Sequence, residues 1–486
     1  MSEAVINGLK PENLWQRFYE ITKVPRPSKK EEKILKYFKD LFTSLNVPFE
    51  QDKAGNIVAY IPATSGKENA PVVILQGHVD MVCEKNKGTV HDFDKDALKL
   101  KNVNGWITAD GTTLGSDNGI GIAAAAAIID DKEAVHGPIE ILLTVDEETG
   151  LTGATELNPE LLKGNILLNL DSEEDGTFYV GCAGGLDTAG IFRLEFENIP
   201  SGYVAYELMI SGLKGGHSGL DINAGRANAI KLLARTLEEL NAVFYKLGSI
   251  SGGSKRNAIP REAEAIVLIK PSLIAQAEKL IKAIEGKLVN EFKKSDGGIK
   301  IEFKKTSSGI SRVITEELKK KIIYTLLAIP HGVISMSQDI PGLVETSTNL
   351  ATVTFEENIL TIGTSQRSSI ESAKAYIVQS VTSLFLLAGS KVEFADGYPG
   401  WKPNLNSGIL EISRKVYKDL FKSTPEIKAI HAGLECGLLG DKIEGLDMIS
   451  FGPTITGAHS PDEMVNIETV NKFYELLKGI LKKIAE

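Results

Sequence analysis

An apolar run in the first third of the chain ends in three consecutive carboxylates. The run covers residues 139–145, and Asp146, Glu147 and Glu148 follow it directly. Such a run predicts a buried strand, and adjacent acids at its end repel one another unless cations, arginines or open water compensate. For the three acids alone, a solvated turn is the simplest interpretation. A cation site is the alternative, and it requires further ligands elsewhere in the sequence.

A histidine follows the end of a second apolar run. Residues 72–76 lead directly into Gly77, His78, Val79 and Asp80. The run predicts a central strand of a covered sheet, and functional groups in such folds gather beyond the carboxyl ends of the strands. A lone histidine is more often a packed or surface residue. Here, however, the Asp80 carboxylate can hydrogen-bond the second imidazole nitrogen, as the partners of metal-bound histidines do.

Asp117 lies where a glycine-rich loop, residues 110–119, enters an alanine-rich helix. As a helix N-cap it would satisfy free backbone amides, and that role alone would explain the residue in most proteins. The small side chains of this helix indicate close packing against a sheet. A carboxylate held at such a helix start would be rigid, as a bridging metal ligand should be.

Two further residues complete a possible set of ligands. A third apolar run, residues 165–170, ends at Asp171, and His459 lies in a Gly/Pro-containing loop after the strand-like run 447–451. Three predicted strands then end in His78, in Glu147 and Glu148, and in Asp171. Together with Asp117 they form a cluster of hard and borderline ligands on one sheet edge, suited to zinc, manganese or cobalt.

Composition limits the possible functions. The 486 residues allow two to four domains, and 42% hydrophobic with 24% charged residues is usual for a globular protein. No apolar run approaches the length of a membrane span and the N-terminus lacks a signal pattern, so we expect a cytoplasmic protein. Cys83, Cys182 and Cys436 are scattered singly, which fits neither a disulfide framework nor a CxxC metal site. The net charge of -10 argues against nucleic acid as the main partner.

The pattern changes in the middle of the chain. Residues 188–396 alternate strand-like runs with amphipathic helices, which predicts a second α/β domain inserted into a first one made of residues 1–187 and 397–486. Two similar halves are compatible with this pattern. The inserted part contains a glycine-rich loop, residues 213–219, around His217. The glycines free the backbone to approach a ligand, although a surface turn is an equally simple interpretation.

Six short motifs occur in an order that is typical of one protein family. They are Gly77–Asp80, Gly115–Gly119, Asp146–Gly150, Asn169–Asp171, Gly215–Gly219 and Gly457–Pro461. In this order they resemble the M20 family of metallopeptidases, and within it the aminoacyl-histidine dipeptidases, over nearly the whole chain. The resemblance implies an α/β fold: a di-metal catalytic domain with a central mixed sheet covered by helices, and an inserted α/β lid domain, ferredoxin-like and compatible with doubling, that also dimerises.

The resemblance assigns metal ligands position by position. Asp117 would bridge two divalent metal ions, most commonly zinc, with manganese or cobalt as alternatives. His78 and Asp171 would complete one site, and Glu148 and His459 the other. Every metal position that the family's motifs predict is therefore occupied by a suitable side chain.

The remaining roles are also implied by the resemblance. Glu147 would act as general base on the water between the metals, and Asp80 would orient the first histidine. His217 is expected to reach an active site, that of the partner subunit in a homodimer, and to steady the oxyanion. The substrate's terminal carboxylate would be held by Asn257 and Arg367.

Gly433 would line the substrate pocket with its backbone. The implied activity is metal-dependent hydrolysis of dipeptides, Xaa-His and others, with no nucleic-acid or membrane partner. An N-acyl-amino-acid amidohydrolase or a carboxypeptidase on the same scaffold is the alternative, because residues of the inserted domain decide the substrate. A non-catalytic binding protein of this fold is a third possibility, against which the complete ligand set argues.

Overall fold

The chain folds into two compact units. The computed structural model describes residues 3–307, 309–395 and 397–486. The first unit comprises the chain up to Gly181, Pro403–Ala429 and Leu434–Glu486, and the inserted unit comprises Cys182–Lys402 and Ile430–Gly433. Our domain borders, after residues 187 and 396, stay a prediction. Residue 396 lies outside the described residues, and the prediction had kept Ile430–Gly433 with the C-terminal segment.

The residues described up to Cys182 form six α-helices, one short 3-10 helix (Pro159–Leu161) and eight strands. The helices are α1 (Glu3–Ile6), α2 (Glu12–Thr22), α3 (Glu32–Ser44), α4 (Ser116–Ile128), α5 (Glu147–Gly150) and α6 (Thr152–Glu156). The strands are β1 (Phe49–Gln51), β2 (Ile57–Ile61), β3 (Val73–His78), β4 (Leu100–Val103), β5 (Trp106–Ala109), β6 (Ile139–Thr144), β7 (Ile166–Asn169) and β8 (Thr177–Cys182).

The inserted unit and the C-terminal segment follow. The strands of the inserted unit are β9 (Gly184–Arg193), β10 (Phe196–Asn198), β11 (Val204–Ser211), β12 (Gly216–His217), β13 (Lys246–Gly252), β14 (Ala258–Ile259), β15 (Ala263–Ile269), β16 (Lys300–Lys305), β17 (Arg312–Ile314), β18 (Gly332–Met336), β19 (Val344–Glu356), β20 (Ile359–Ser368) and β21 (Lys391–Phe394). Its helices are α7 (Ala229–Leu240), α8 (Ile274–Glu291), α9 (Glu316–Ala328) and α10 (Glu371–Leu387). The last elements are α11 (Gly408–Phe421), β22 (Glu426–Ile430), α12 (Glu435–Lys442), β23 (Asp447–Ser450), β24 (Ile455–Thr456), β25 (Met464–Asn466) and α13 (Ile467–Ile484).

The first unit is built on a mixed sheet of eight strands, in the order β1-β2-β6-β3-β7-β23-β8-β22. Strands β6, β3, β7 and β23 are parallel, whereas β2 pairs antiparallel with β6. All residues of β3 and β6 are buried, as the continuous apolar runs of the sequence predict. Because the central strands are parallel, their carboxyl ends meet at one edge of the sheet.

Helix α4 packs unusually close to this sheet. A Cβ on Gly121 would overlap the Leu170 carbonyl oxygen, and a Cβ on Gly77 would overlap the Asn118 side chain. The alanines and glycines of α4 thus allow the close approach that the sequence predicted. Asp117 does not cap this helix: Gly115 is the capping position, without a side-chain hydrogen bond.

One predicted helix start is wrong. Ser28 and Glu31 have the spacing of a capping box, which predicts that the Ser28 side chain caps the start of α3. Helix α3 begins at Glu32 without a side-chain cap. The Ser28 hydroxyl instead donates to Asp80 (2.8 Å), and a hydrogen bond to an ionised carboxylate is stronger than one between neutral groups.

The inserted unit is an antiparallel sheet built from two interleaved βαββαβ repeats. One repeat runs β11, α7, β13, β15, α8, β16, and the other runs β9, α9, β19, β20, α10, β21. In the sheet they appear as β16-β11-β15-β13 and β19-β20-β9-β21, so each repeat has the ferredoxin-like order with its first and third strands central. The predicted fold class is therefore confirmed, including the doubling: a helix-covered mixed sheet and an inserted α/β domain.

The four helices of the inserted unit share one hydrophobic core with its sheet. Buried contributors include Leu233 of α7, Leu288 of α8, Ile322 of α9 and Phe385 of α10. Among the residues that the structure describes, no helix combines the length and apolar character needed to cross a membrane.

Gly190 of β9 should be intolerant of a side chain. A Cβ at this buried position would fall on the Phe385 ring, which is 0% exposed and has no room to move. We expect Gly190→Ala to lower the free energy of unfolding by about 1–3 kcal/mol through overpacking. Gly286→Ala is the matched control, because this helical glycine is exposed and its Cβ would meet no atom within 4 Å. The control should gain about 0.5–1 kcal/mol. Urea denaturation measures both changes, and equal midpoints for the two variants would contradict this packing.

Candidate active site

The central parallel strands bring the sequence-predicted residues of the first unit together. His78 is the last residue of β3 and pairs with Thr144, the last residue of β6. Gln76 of β3 pairs with Asn169, the last residue of β7, and Asp171 follows two residues later. The histidine, the acidic residues after β6 and Asp171 therefore lie at one sheet edge.

Asp117 lies between two groups of potential ligands. Its Oδ1 is 3.0 Å from His78 Nε2, and its Oδ2 is 3.1 Å from His459 Nε2. His459 Nε2 is also 3.0 Å from Glu148 Oε2, and His78 Nε2 is 3.4 Å from Asp171 Oδ1. Each group, His78 with Asp117 and Asp171, and Asp117 with Glu148 and His459, keeps its ligand atoms within 4.8 Å of one another. The carboxylate of Asp117 thus offers one oxygen to each group.

Negative charge is concentrated and poorly compensated at this edge. The side chains of Glu148 and Asp171 are only 4% and 8% exposed. Glu148 Oε1 is buried and has no hydrogen-bond partner among the described residues. Burial, with a smaller contribution from the charges of Asp117 and Glu148, raises the pKa of Asp171 to about 7. Hydrogen bonds to Asp117 and Glu148 raise the pKa of His459 to about 11.

These features fit a pair of metal ions. A buried acceptor without a donor, and a histidine whose pKa is raised by two carboxylates, both indicate a site that favours cations. Imidazole nitrogens with carboxylate oxygens are ligands typical of zinc and of related divalent metals. The residues present therefore match the di-metal centre that the sequence predicted.

The acidic triplet divides into three different environments. Asp146 adopts the left-handed region (φ 50°) and turns the chain between β6 and α5. Its carboxylate accepts hydrogen bonds from the hydroxyls of Thr149 and Thr152, so it stabilises the turn. Glu148 faces His459, whereas Glu147 is half-buried and lies near His78. Neighbouring acids thus point to different partners, which reduces their mutual repulsion.

Asp80 connects His78 to the acidic turn. Its Oδ1 is 3.3 Å from His78 Nδ1, and its two oxygens accept the backbone N–H groups of Glu147 (3.1 Å) and Glu148 (3.2 Å). Burial raises the pKa of Asp80, but the hydrogen bond and charge of His78, together with the Ser28 hydroxyl, outweigh it and lower the pKa to about 2. One ionised carboxylate therefore fixes both the imidazole and the turn that carries the two glutamates.

Sequence reasoning missed a buried glutamate that contacts the strands β3 and β6 next to this site. Glu435, at the start of α12, is 1% exposed and its Oε2 accepts hydrogen bonds from Gln76 Nε2 (2.6 Å) and Thr144 Oγ1 (2.7 Å). Burial raises the pKa of Glu435 to about 7. Burial, and then the charges of Asp171 and Glu435, also raise the pKa of Glu147 well above its usual value, although the charge of nearby His78 opposes this.

The residues predicted for substrate binding lie in the inserted unit. Asn257 and Arg367 line a cavity of about 100 Å³, together with Tyr398. Arg367 donates from Nη1 to the Tyr398 hydroxyl (2.9 Å), while its buried Nε has no hydrogen-bond partner among the described residues. An unpaired guanidinium N–H beside a cavity is suited to an anion. Tyr398 was not predicted from the sequence, because its Gly/Pro-rich segment looks like a turn.

His217 and Gly433 have distinct surroundings. His217 Nδ1 accepts the backbone N–H groups of Gly219 (3.2 Å) and Leu220 (3.1 Å), so the neutral imidazole carries its proton on Nε2. Burial, and then the charge of Arg367, lower the pKa of His217 and favour this neutral form. A Cβ on Gly433 would lie 2.9 Å from the Tyr398 ring, so this position has no room for a side chain.

Comparison with known proteins decides the family. The model of the peptidase family M20/M25/M40 matches residues 74–483. The chain belongs to this peptidase family. The cytosol non-specific dipeptidase of Escherichia coli (strain K12) is 43% identical over 100% of this chain and 99% of that protein. The crystal structure of aminoacylhistidine dipeptidase from Vibrio alginolyticus is 42% identical, covers 99% of both chains and superimposes with a TM-score of 0.91.

A more distant structure shares the fold alone. Aminopeptidase PepT from Bacillus cereus is 18% identical over 98% of this chain and 100% of that chain, with a TM-score of 0.58. The family resemblance that the motifs indicated is therefore confirmed over the whole length. In this M20/M25/M40 peptidase, the roles of individual site residues stay predictions.

His431 of the inserted unit is a buried neutral histidine near Arg367. Its Nε2 lies 2.7 Å from the Ser347 hydroxyl, and the residue is 6% exposed. Burial, and then the positive charge of Arg367, lower the pKa of His431 to about 3. In an unfolded chain a histidine titrates near pH 6.5. The folded state therefore favours the neutral form.

This shift gives the inserted unit a defined pH dependence. Because the pKa of His431 is lower in the folded state, the unfolded chain takes up a proton at this histidine before the folded protein does. The contribution of His431 to the free energy of unfolding is therefore complete above about pH 6.5 and is lost as the pH falls towards about 3. In metal-free protein, we expect the wild type to lose about 1 kcal/mol more free energy of unfolding than His431→Gln between about pH 7.5 and about pH 5.5. Urea denaturation at the two pH values measures this difference, and parallel curves for the two proteins would show that His431 titrates normally.

Proposed function

We propose that this M20/M25/M40 peptidase hydrolyses dipeptides with the help of two divalent metal ions. The observation that carries the proposal is the position of Asp117, whose two oxygens each face one group of ligands. The names of two full-length relatives, a non-specific dipeptidase and an aminoacylhistidine dipeptidase, support dipeptides, including Xaa-His, as the substrates.

The metal ligands would be divided between two sites. Asp117 would bridge both, His78 and Asp171 would complete one, and Glu148 and His459 would complete the other. Zinc is the expected metal, with manganese or cobalt as alternatives, because the ligands combine imidazole with carboxylate. When bound, the metals would polarise the scissile carbonyl and lower the pKa of the attacking water.

Glu147 would then move the proton. Its raised pKa, caused mainly by burial, lets a carboxylate take a proton from the attacking water and release it to the leaving nitrogen. Asp80 would act by orienting His78 through Nδ1 while it holds the backbone of Glu147 in place. A base fixed by its own main chain needs little rearrangement during the reaction.

Residues of the inserted unit would bind the remainder of the substrate. Arg367 and Asn257 would hold the terminal carboxylate, supported by the cavity that they line. His217 would donate from Nε2 to the oxyanion of the scissile carbonyl, from the partner subunit of a homodimer. Gly433 would approach the substrate with its backbone. Light scattering on the purified protein tests the expected dimer.

The same scaffold could serve other substrates. An N-acyl-amino-acid amidohydrolase or a carboxypeptidase would use the same metals and Glu147, and a binding protein would need no base. The name of the Escherichia coli relative also supports a cytoplasmic location, as do the scattered cysteines.

A substrate panel distinguishes these functions. The purified protein, loaded with zinc, manganese or cobalt, is incubated with free dipeptides including β-alanyl-histidine, with N-acetyl amino acids, and with longer peptides that have a free C-terminus. We expect cleavage of the dipeptides, which amino-acid analysis detects as free amino acids. Release of acetate or of single C-terminal residues from the longer peptides, without dipeptide cleavage, would replace the proposal with one of the alternatives.

Replacing Glu147 by glutamine tests its assignment as base. The Glu147→Gln side chain keeps its size but cannot accept a proton, so kcat should fall by about 100-fold or more. Metal content should stay at the wild-type value, because the predicted ligands are intact. Glu156→Gln, at an exposed position of α6, serves as control and should keep full activity. Wild-type turnover in Glu147→Gln would remove this residue from the mechanism.

A further inference from the structure

Glu463 accepts more hydrogen bonds than its position in a loop would suggest. The residue is 2% exposed. Its Oε2 accepts the backbone N–H groups of Leu114 (2.8 Å) and Gly115 (3.0 Å). Its Oε1 accepts the backbone N–H (2.7 Å) and the hydroxyl (2.6 Å) of Ser116, and the backbone N–H of Asp117 (3.3 Å). One carboxylate thus satisfies every backbone donor from residue 114 to residue 117.

This carboxylate joins the two loops that carry Asp117 and His459. Glu463 lies four residues after His459, and its own N–H donates to the Ser460 carbonyl (3.1 Å). Its carbonyl in turn accepts the hydroxyl of Thr108 in β5 (2.7 Å). The hydrogen bonds therefore fix the loop before α4 relative to the loop that ends at β25.

A buried arginine also forms a hydrogen bond with this turn. Arg26 is 1% exposed and donates to the carbonyls of Val79 (3.0 Å), Asp80 (2.6 Å) and Gly115. Glu463 thus accepts the backbone N–H groups of residues 114–117, and Arg26 donates to one backbone carbonyl of the same turn, that of Gly115. The backbone that positions Asp117 has little freedom to move.

We propose that Glu463 is a positioning residue for the metal centre: by accepting the backbone donors of residues 114–117 it holds Asp117 between His78 and His459. The inference rests on the proposed function, since it takes Asp117 and His459 as metal ligands. A bridging carboxylate must present both oxygens at fixed positions, and outer contacts that orient a ligand commonly change metal affinity by 10–100-fold.

Glutamine is a sharp replacement at this position. Both oxygens of Glu463 accept from N–H donors, and the amide of Glu463→Gln can accept with only one of them. Its NH₂ group would then face backbone N–H groups, and buried donors would lose their acceptor. The turn should shift and Asp117 with it, while the side-chain volume stays unchanged.

Glu140 provides a matched control. It is 3% exposed, lies in β6 of the eight-stranded sheet, and accepts the backbone N–H groups of Lys163 (3.0 Å) and Gly164 (3.0 Å). Glu140 is the second residue of β6, so it lies at the opposite end of the strand from the acidic turn. Glu140→Gln therefore removes a buried carboxylate charge without touching the loops of Asp117 and His459, and its amide oxygen can still accept both backbone N–H groups.

The experiment measures zinc binding and metal-free stability separately. Affinity is obtained by chelator competition, metal per chain by mass spectrometry after dialysis, and stability by thermal unfolding in EDTA. We expect Glu463→Gln to weaken the affinity of at least one zinc site by about 10–100-fold. Turnover should recover towards the wild-type value as free zinc is raised. Glu140→Gln should bind zinc as the wild type does, even if its unfolding temperature falls.

A milder variant covers the case in which Glu463→Gln does not fold. Ser116→Ala removes one of the five donors and leaves the carboxylate in place. Zinc affinity should then fall by about twofold to tenfold, which corresponds to the loss of a single hydrogen bond.

The outcomes separate this inference from the proposed function. Wild-type protein that binds no divalent metal would overturn the proposed function itself. If the wild type binds two zinc ions and the variants of Glu463 and Ser116 keep its affinity, or if Glu140→Gln weakens zinc binding equally, Glu463 is only a structural residue and the inference is wrong.

Discussion

The folded first unit depends on how mutual repulsion among buried carboxylates is compensated. Asp117, Glu148 and Asp171 lie within a few ångströms of two histidines and form their ion pairs with them. In a region of low dielectric constant such an arrangement is expensive unless positive charge is present. Protons on the histidines can supply that charge in part. Two divalent cations would supply it fully, so metal binding and the stability of this sheet edge are linked.

The surrounding backbone is what makes the arrangement specific. Three parallel strands end side by side, and two buried carboxylates outside the proposed ligand set hold the backbone of this edge. Asp80 fixes an imidazole and a turn together, and Glu463 fixes the turn before α4. These carboxylates bind no metal in the proposal. They convert a cluster of flexible acids into ligands with defined directions, which is the main contribution that a protein makes to a metal site.

Much of this could be predicted from residues close together in sequence. Continuous apolar runs predicted β3, β6 and β7, and because parallel strands share an edge, the polar residues after them were expected to meet. Motif order then identified the family and assigned the roles of Asp117 and His459. What the sequence could not supply was the partner of each buried polar group. Glu435 and Glu463 gave no signal, because an acid in a loop or at a helix start is usually solvated.

Local rules also failed where a distant group was the stronger partner. Ser28 has the spacing of a capping box, but its hydroxyl donates to Asp80, which lies 52 residues away. Tyr398 lies in a segment that looks like a turn, yet its hydroxyl contacts Arg367. In each case a buried charge competes with the local backbone, and the position of that charge depends on tertiary structure.

The interruption of the first unit by the inserted one has a consequence for biosynthesis. The hydrogen bonds between Glu463 and residues 114–117 span about 346 to 349 positions. During translation the early turn leaves the ribosome long before its acceptor exists, and a whole α/β domain is made in between. The turn that carries Asp117 therefore lacks its acceptor until the segment with Glu463 has been made. Its described hydrogen bonds can form only late in synthesis.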